Sequence, residues 1–183
     1  AVDQNGLGIS LIQSNFYGIG SRIGVGNYGF FLHNRGCGFN LIKGHPNSLS
    51  PNKKPLHTLS PTIWSKDGSL DFITGTRGGR YQPQLLAQTI LPYILEESSF
   101  EEIMKKPRWT IEYFGSDTSS NIKFEFIEEP EVSSLENKGH KISIENKLIA
   151  GYGPISTIYK NSDGNFVGVP DIRVGTEKAF NNS

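Results

Sequence analysis

Gly78 and Gly79, in the stretch GTRGGRYQPQ (75–84), stand between a run that alternates like a β-strand and a run with helical spacing. Consecutive amides just ahead of a helix lack intrahelical partners and share the positive end of the helix dipole. Such a pair can hold a phosphate or a developing oxyanion, or simply ease the chain from strand to helix. A Walker-type phosphate loop needs GxxxxGK before Ser or Thr, and Arg80 follows the pair here. An oxyanion hole and a plain turn remain. The glycines at 18, 20, 24, 26 and 29 in YGIGSRIGVGNYG have the look of a dinucleotide fingerprint. The strand-like FFLHN follows them, not a helix, so a close-approach loop is expected. His33, His45, His57 and His140 form no HxxxH or HExxH pair, and the single Cys37 excludes an internal disulfide. No metal or other cofactor is expected. Cys37, between two glycines, reads as a small buried filler rather than a nucleophile.

The elements around these residues follow from periodicity. AVDQNGLGISLIQS (1–14) predicts a hairpin turning at Asn5-Gly6, with a strand over 9–14, and NYGFFLHN (27–34) predicts another strand. Residues 37–55 form a Pro-, Asn- and Lys-rich surface connection. SPTIWSKDGSLDFITG (60–75) is the cleanest hairpin, with Asp67-Gly68 at its turn. QPQLLAQTILPYILEESS predicts a helix with Pro83 in its first turn, Leu86, Ile90 and Ile94 on one face, and a kink or break at Pro92. SFEEIMKKP predicts a second helix, with a Ser99–Glu102 capping box and Pro107 as terminator. Strands follow in RWTIEY, IKFEFIE, KISIEN, PISTIYK and NFVGVPDIR, with a short helix in EVSSLENKGHK. This order predicts an α+β layered domain, a sheet covered by helices on at least one face.

The 183 residues, 36% hydrophobic, suit one domain over 1–183. Lys plus Arg and Asp plus Glu both number 18, so net charge argues for neither nucleic acid nor an anionic membrane as partner. No apolar run approaches the roughly 20 residues of a membrane span. The chain opens AVDQNG without Met or a basic leader, as expected of part of a longer or processed polypeptide. The absence of disulfides favours the cytoplasm.

The motifs SLIQSNFYGIGS, LHNRGCGFN, KGHPNSLSPNKKPLHT and LHTLSPTI, the DG hairpin, the GG pair with its helix, and later KKPRW, KGHKI and VPDIRVG follow one another along nearly the whole chain. Together they closely resemble the small, catalytic subunit of the γ-glutamyltranspeptidase family of N-terminal-nucleophile hydrolases. The resemblance implies the αββα sandwich of that superfamily, completed by a large N-terminal subunit of the same precursor. It implies self-cleavage to an N-terminal threonine whose own amine serves as base. Matching Val2-Asp3 to the family's Val-Val-Asp places that threonine about five residues before Ala1. Gly78 and Gly79 match the pair that stabilises the oxyanion, and Ser60, Pro61 and Asn34 match its supporting frame.

The glutamyl clamp departs from the pattern. The aspartate that grips the donor's ammonium is matched by Gly38, and the two serines that hold its carboxylate by His57 and Thr58. The asparagine near the second strand is matched by Phe16, or by Asn15 or Ser14 if the register slips. The substrate is then a small amide or peptide, γ-glutamyl or an acyl group of the cephalosporin and glutaryl acylase kind. His57 is either a carboxylate ligand or a side chain bonded under its loop. Arg35 and Arg77 either replace the clamp as carboxylate ligands or are solvated charges. Asp171 and Arg173 match a family Asp-x-Arg and read as a structural ion pair. A dimer of heterodimers is one possible assembly. A catalytically inactive relative that binds or assembles is the rival expectation.

Overall fold

The computed structural model describes residues 1–113, 120–175 and 178–180. The chain divides into two compact units, residues 1–11 with 60–183, and residues 12–59. In the first, β1 (Thr62–Lys66) and β2 (Ser69–Thr76) form the expected hairpin. Asp67 and Gly68 both take positive φ, 51° and 77°, as a tight turn matched to the strand twist requires. Two helices follow, α1 (Gln82–Leu95) and α2 (Phe100–Lys105). Then come β3 (Trp109–Tyr113), β4 (Ser120–Phe124), α3 (Glu129–Asn137), β5 (Lys141–Ile144), β6 (Ile155–Lys160) and β7 (Phe166–Val169).

The strands make two sheets. An antiparallel sheet has the order β1-β2-β6-β7. A smaller sheet has the order β3-β4-β5, with β4 and β5 parallel and α3 between them in the chain. This is the α+β class expected from the sequence. The core is built from Phe72 on β2, Leu85 and Ile90 on α1, Phe100 and Met104 on α2 and Ile155 on β6. Tyr93 stacks on Phe100 at 4.3 Å between centroids, and Phe72 meets both rings edge-on or tilted within 5.3 Å. Such aromatic contacts add to the area they bury.

Several local expectations change. The first residues form a hairpin with one bridge, Val2 to Gly8, and the Asp3 carboxylate accepts from the amides of Asn5 and Leu7 at 2.9 and 2.8 Å. Residues 9–14 are not a strand, because no neighbouring strand supplies a ladder. On α1 the inward stripe is shifted: Leu85 is fully enclosed, while Ile94 is 48% exposed. The helix also runs through Pro92, which sits in its last turn, to end at Leu95. The capping box is present, with Glu102 N on Ser99 Oγ at 3.3 Å and Ser99 N on Glu102 Oε2 at 3.1 Å.

The second unit has no strand ladder and no α-helix. Residues 27–34 are not the expected strand. The segment after the 3₁₀ turn Gly26–Tyr28 folds back on residues 21–25 through Val25 N to Phe30 O, Leu32 N to Ile23 O and Ser21 N to Leu32 O. Gly20 is the close approach the glycine-rich stretch calls for: a Cβ there would lie 2.3 Å from the Leu32 carbonyl oxygen.

Candidate functional site

In the first unit the chain leaves β2 at Thr76 and reaches α1 through Gly78-Gly79 and a single 3₁₀ turn, Gly79–Tyr81. Gly78 has φ 124° and ψ 10°, a conformation essentially closed to other residues, and a Cβ on it would press on Leu85 Cδ1 at 3.2 Å. Gly79 has φ 56°, with nothing within 4 Å of an added Cβ. The carbonyls of the pair close the turn, Tyr81 N on Gly78 O at 3.0 Å and Gln82 N on Gly79 O. Among the described residues neither glycine N–H donates to a partner in this chain. These two adjacent donors at a helix start are the arrangement an oxyanion would use.

The turn is braced on both sides. Gln82 is 3% exposed and its Oε1 accepts from Ser60 N at 3.0 Å. Arg77 donates from Nε to Gly153 O at 2.7 Å and from Nη2 to Ala150 O at 3.2 Å. Its guanidinium therefore holds the 150–153 turn. Asp171 and Arg173 do pair, at 3.3 Å, inside a larger buried network. Arg108 bonds Asp171 at 2.5 Å, and Arg173 bonds both oxygens of Glu125. Glu125 Oε1 also accepts from Ile149 N, Asp171 Oδ2 from Ile155 N, and Arg108 donates to Tyr152 O. Burial alone would raise the Asp171 carboxyl. The Arg108 guanidinium and the amides of Ile155 and Arg173 outweigh it and hold the group below its ordinary value. Burial, with Arg173 close by, lowers Arg108. Arg108 and Glu125 had no signal in local sequence, because their partners lie 63 and 48 residues away.

In the second unit, Arg35, Thr58, Ser14 and Phe16 come together. Arg35 is buried; its Nη1 donates to Thr58 Oγ1 at 3.2 Å and its Nη2 to Ser14 O at 3.4 Å. Its guanidinium carbon lies 5.3 Å from the Phe16 ring centre. Phe16 holds φ 79°, with its amide on Ser14 Oγ at 3.0 Å. Asn15 is half-buried and its carbonyl accepts from Asn34 N at 3.1 Å. The Asn34 side chain ties down the preceding loop through Tyr17 N, Tyr17 O and Gly20 O. His57 is exposed, with Nδ1 accepting from Leu59 N at 3.3 Å. Gly38 ends the 3₁₀ turn Arg35–Gly38, and a Cβ there would reach the Leu56 carbonyl oxygen at 3.4 Å. Cys37 in the same turn is exposed, not the buried filler expected, because Arg35 takes the inward position.

The family model described as gamma-glutamyltranspeptidase matches residues 1–180. The oxamate amidohydrolase proenzyme of Klebsiella pneumoniae is 30% identical over 173 residues, 94% of this chain and 33% of that protein. The glutathione hydrolase-like YwrD proenzyme of Bacillus subtilis is 28% identical over the same shares. The chain thus spans about a third of the length of these curated relatives. Among solved structures, a γ-glutamyltranspeptidase from Helicobacter pylori has the same fold, with a TM-score of 0.78 at 22% identity over 95% of this chain and 97% of that one. A cephalosporin acylase from Bacillus halodurans gives 0.74 at 28% identity, over 88% of this chain and 30% of that one. The match along 1–180, around a glycine pair whose amides stand free at the head of a helix, makes this chain a member of the γ-glutamyltranspeptidase family.

Proposed function

We propose that this chain is the small, catalytic part of an amide hydrolase or acyltransferase with an N-terminal threonine nucleophile about five residues ahead of Ala1. The observation that carries the reading is the pair of unengaged amides at Gly78 and Gly79 within a chain matched to the family over residues 1–180. The threonine hydroxyl attacks the amide carbonyl, giving up its proton to the α-amine, and the two glycine N–H groups receive the charge on the carbonyl oxygen. The C–N bond then breaks, the amine leaves with that proton, and water or a second amine takes the acyl group from the ester. A large N-terminal portion of the same precursor completes an αββα sandwich and the substrate pocket, and the names of the relatives as proenzymes support cleavage between the two parts. Asn15, Phe16, Arg35, Gly38, His57 and Thr58 are the candidate substrate-binding residues of this reading.

The acyl donor is γ-glutamyl or a related acid. The acylase-type alternative is favoured by Gly38, which offers no carboxylate for an ammonium, and by the likeness to an amidohydrolase and an acylase. The test is the intact mass of the freshly expressed full-length product, with N-terminal sequencing of the smaller fragment and an anilide hydrolysis assay. Two fragments, the smaller starting at Thr, together with anilide release support the enzyme. A single mass that persists on incubation overturns it in favour of a relative that binds or assembles.

A further inference from the structure

Thr76 and Arg77, the two residues ahead of the glycine pair, spend their side chains on backbone carbonyls. Thr76 closes β2 opposite Ile155 of β6 and is 5% exposed. Its hydroxyl lies 2.8 Å from Arg77 O and 3.0 Å from Pro154 O, and shares its one proton between them. Arg77 is exposed, yet its Nε donates to Gly153 O at 2.7 Å and its Nη2 to Ala150 O at 3.2 Å. These bonds form against the rotamer freedom that a long surface side chain gives up to make them.

Their common effect falls on the peptide between Arg77 and Gly78. In a trans peptide the carbonyl and the N–H point in opposite directions, so fixing one aims the other. The Gly79 N–H is aimed by the helix start itself, because Gly78 O in the same peptide accepts from Tyr81 N at 3.0 Å. The Gly78 N–H shares its peptide with Arg77 O, and that oxygen is held by a side chain, the Thr76 hydroxyl. As a glycine, Gly78 has no side chain of its own to steady the plane. The 150–154 segment behind it is firmly seated. A Cβ at Gly153 would lie 2.6 Å from Asp171 Oδ2 and 2.7 Å from Arg108 Nη1, so the segment rests directly on that buried ion pair.

We infer that Thr76 and Arg77 are positioning residues for the reaction: they hold the Arg77–Gly78 peptide against the 150–154 segment so that the Gly78 N–H meets the charge developing on the carbonyl oxygen. This deepens the proposed function and rests on it for the reaction served. A mis-aimed donor is felt where the charge appears, in the transition state, and much less in the bound substrate. The loss therefore belongs in kcat.

The experiment uses the processed full-length protein, with intact mass to establish processing, an anilide assay for kcat and KM, and urea midpoints for stability. Thr76→Val keeps the shape and removes the hydroxyl; its kcat should fall by on the order of 10-fold with KM within about twofold. Thr76→Ser restores the hydroxyl and should recover most of that loss. Arg77→Met keeps the stem, loses both bonds to the 150–153 turn, and should also lose kcat rather than raise KM. Ser99→Ala, which opens the α2 capping box away from the turn, should lower the urea midpoint with kcat unaltered. Where Thr76→Val does not fold or process, Arg77→Met decides. Wild-type kcat in both variants, a loss confined to KM, no recovery in Thr76→Ser, or an equal kcat loss in Ser99→Ala would each overturn the inference and leave the proposed function standing. Loss of processing in both variants would overturn it as well, by assigning the two side chains to maturation. A wild type that stays a single chain and cleaves no anilide would overturn the proposed function and this inference together.

Discussion

Gly78 and Gly79 make different demands on the chain, and substitutions separate them. At Gly78 an alanine meets both a forbidden φ and the Leu85 side chain, so Gly78→Ala should lower stability by about 2 kcal/mol or more. At Gly79 the space is open and φ is left-handed, so Gly79→Ala should fold with a loss of about 1 kcal/mol. The strained turn then relaxes and re-aims its amide, and kcat should fall by on the order of 100-fold. Urea midpoints alongside kcat on an anilide check both variants; a Gly79→Ala enzyme with unaltered kcat would remove that amide from the reaction. Neither consequence follows from the letters GG, which fit a plain turn equally well. Residue type was informative where the demand is local, as at Asp67-Gly68. It misled at Cys37, whose exposure depends on which neighbour in the 3₁₀ turn faces inward.

At the scale of elements, α1 ties the two sheets of the first unit to one another. Its core-facing Leu85 and Ile90 serve packing. Gln84 and Gln88, four apart on the same helix, reach the edge strand β3: Gln84 Oε1 accepts from Ile111 N at 2.8 Å, and Gln88 both donates to Trp109 O and accepts from Trp109 N. Gln88→Leu should therefore cost about 1–3 kcal/mol by stranding backbone groups of β3 that are half shielded from water. Ser99→Ala should cost about 1 kcal/mol by opening the α2 capping box. Thermal or urea unfolding of each variant measures these losses, and a Gln88→Leu protein as stable as wild type would mean that water replaces the glutamine on β3. The capping box was legible in the sequence because its partners are three residues apart. The glutamine bonds were not, because QPQLLAQ reads as ordinary polar helix surface until β3 is placed beside it. The strand expected over 9–14 failed for the same kind of reason: alternation sets which face a strand would bury, but only a paired neighbour makes it one.

Across the whole molecule, charge is sorted. Arg108, Arg173, Asp171 and Glu125 form a balanced group of two cations and two anions deep in the first unit, while residues 12–59 keep their cations without an anion. The Asp171 carboxyl is held below its ordinary value of 3.8 in the folded chain. A group depressed in this way stabilises the fold at pH values above its unfolded pKa, and the contribution disappears as pH falls through the folded value. Wild-type stability should thus drop as the pH is taken below about 4. Asp171→Asn should lose about 3–5 kcal/mol at neutral pH by leaving Arg108 poorly matched, and its acid limb should be flatter. Urea midpoints from pH 7 down to pH 2 decide it; parallel acid limbs for the two proteins would mean the Asp171 proton is not linked to folding.

From the sequence alone come the α+β class, the DG hairpin, the helix starts, the glycine pair and the family resemblance, because each depends on residues within a few positions or on motifs in a fixed order. Even the absence of acids from 12 to 59 is written there. Only the tertiary structure decided that Arg35 is enclosed with neutral partners while Arg77 is committed to the 150–153 turn, and that Arg108 and Glu125 join Asp171 and Arg173. Burial and pairing over 23 to 76 residues of separation are set by how elements pack, and local composition carries no record of which distant group will stand opposite.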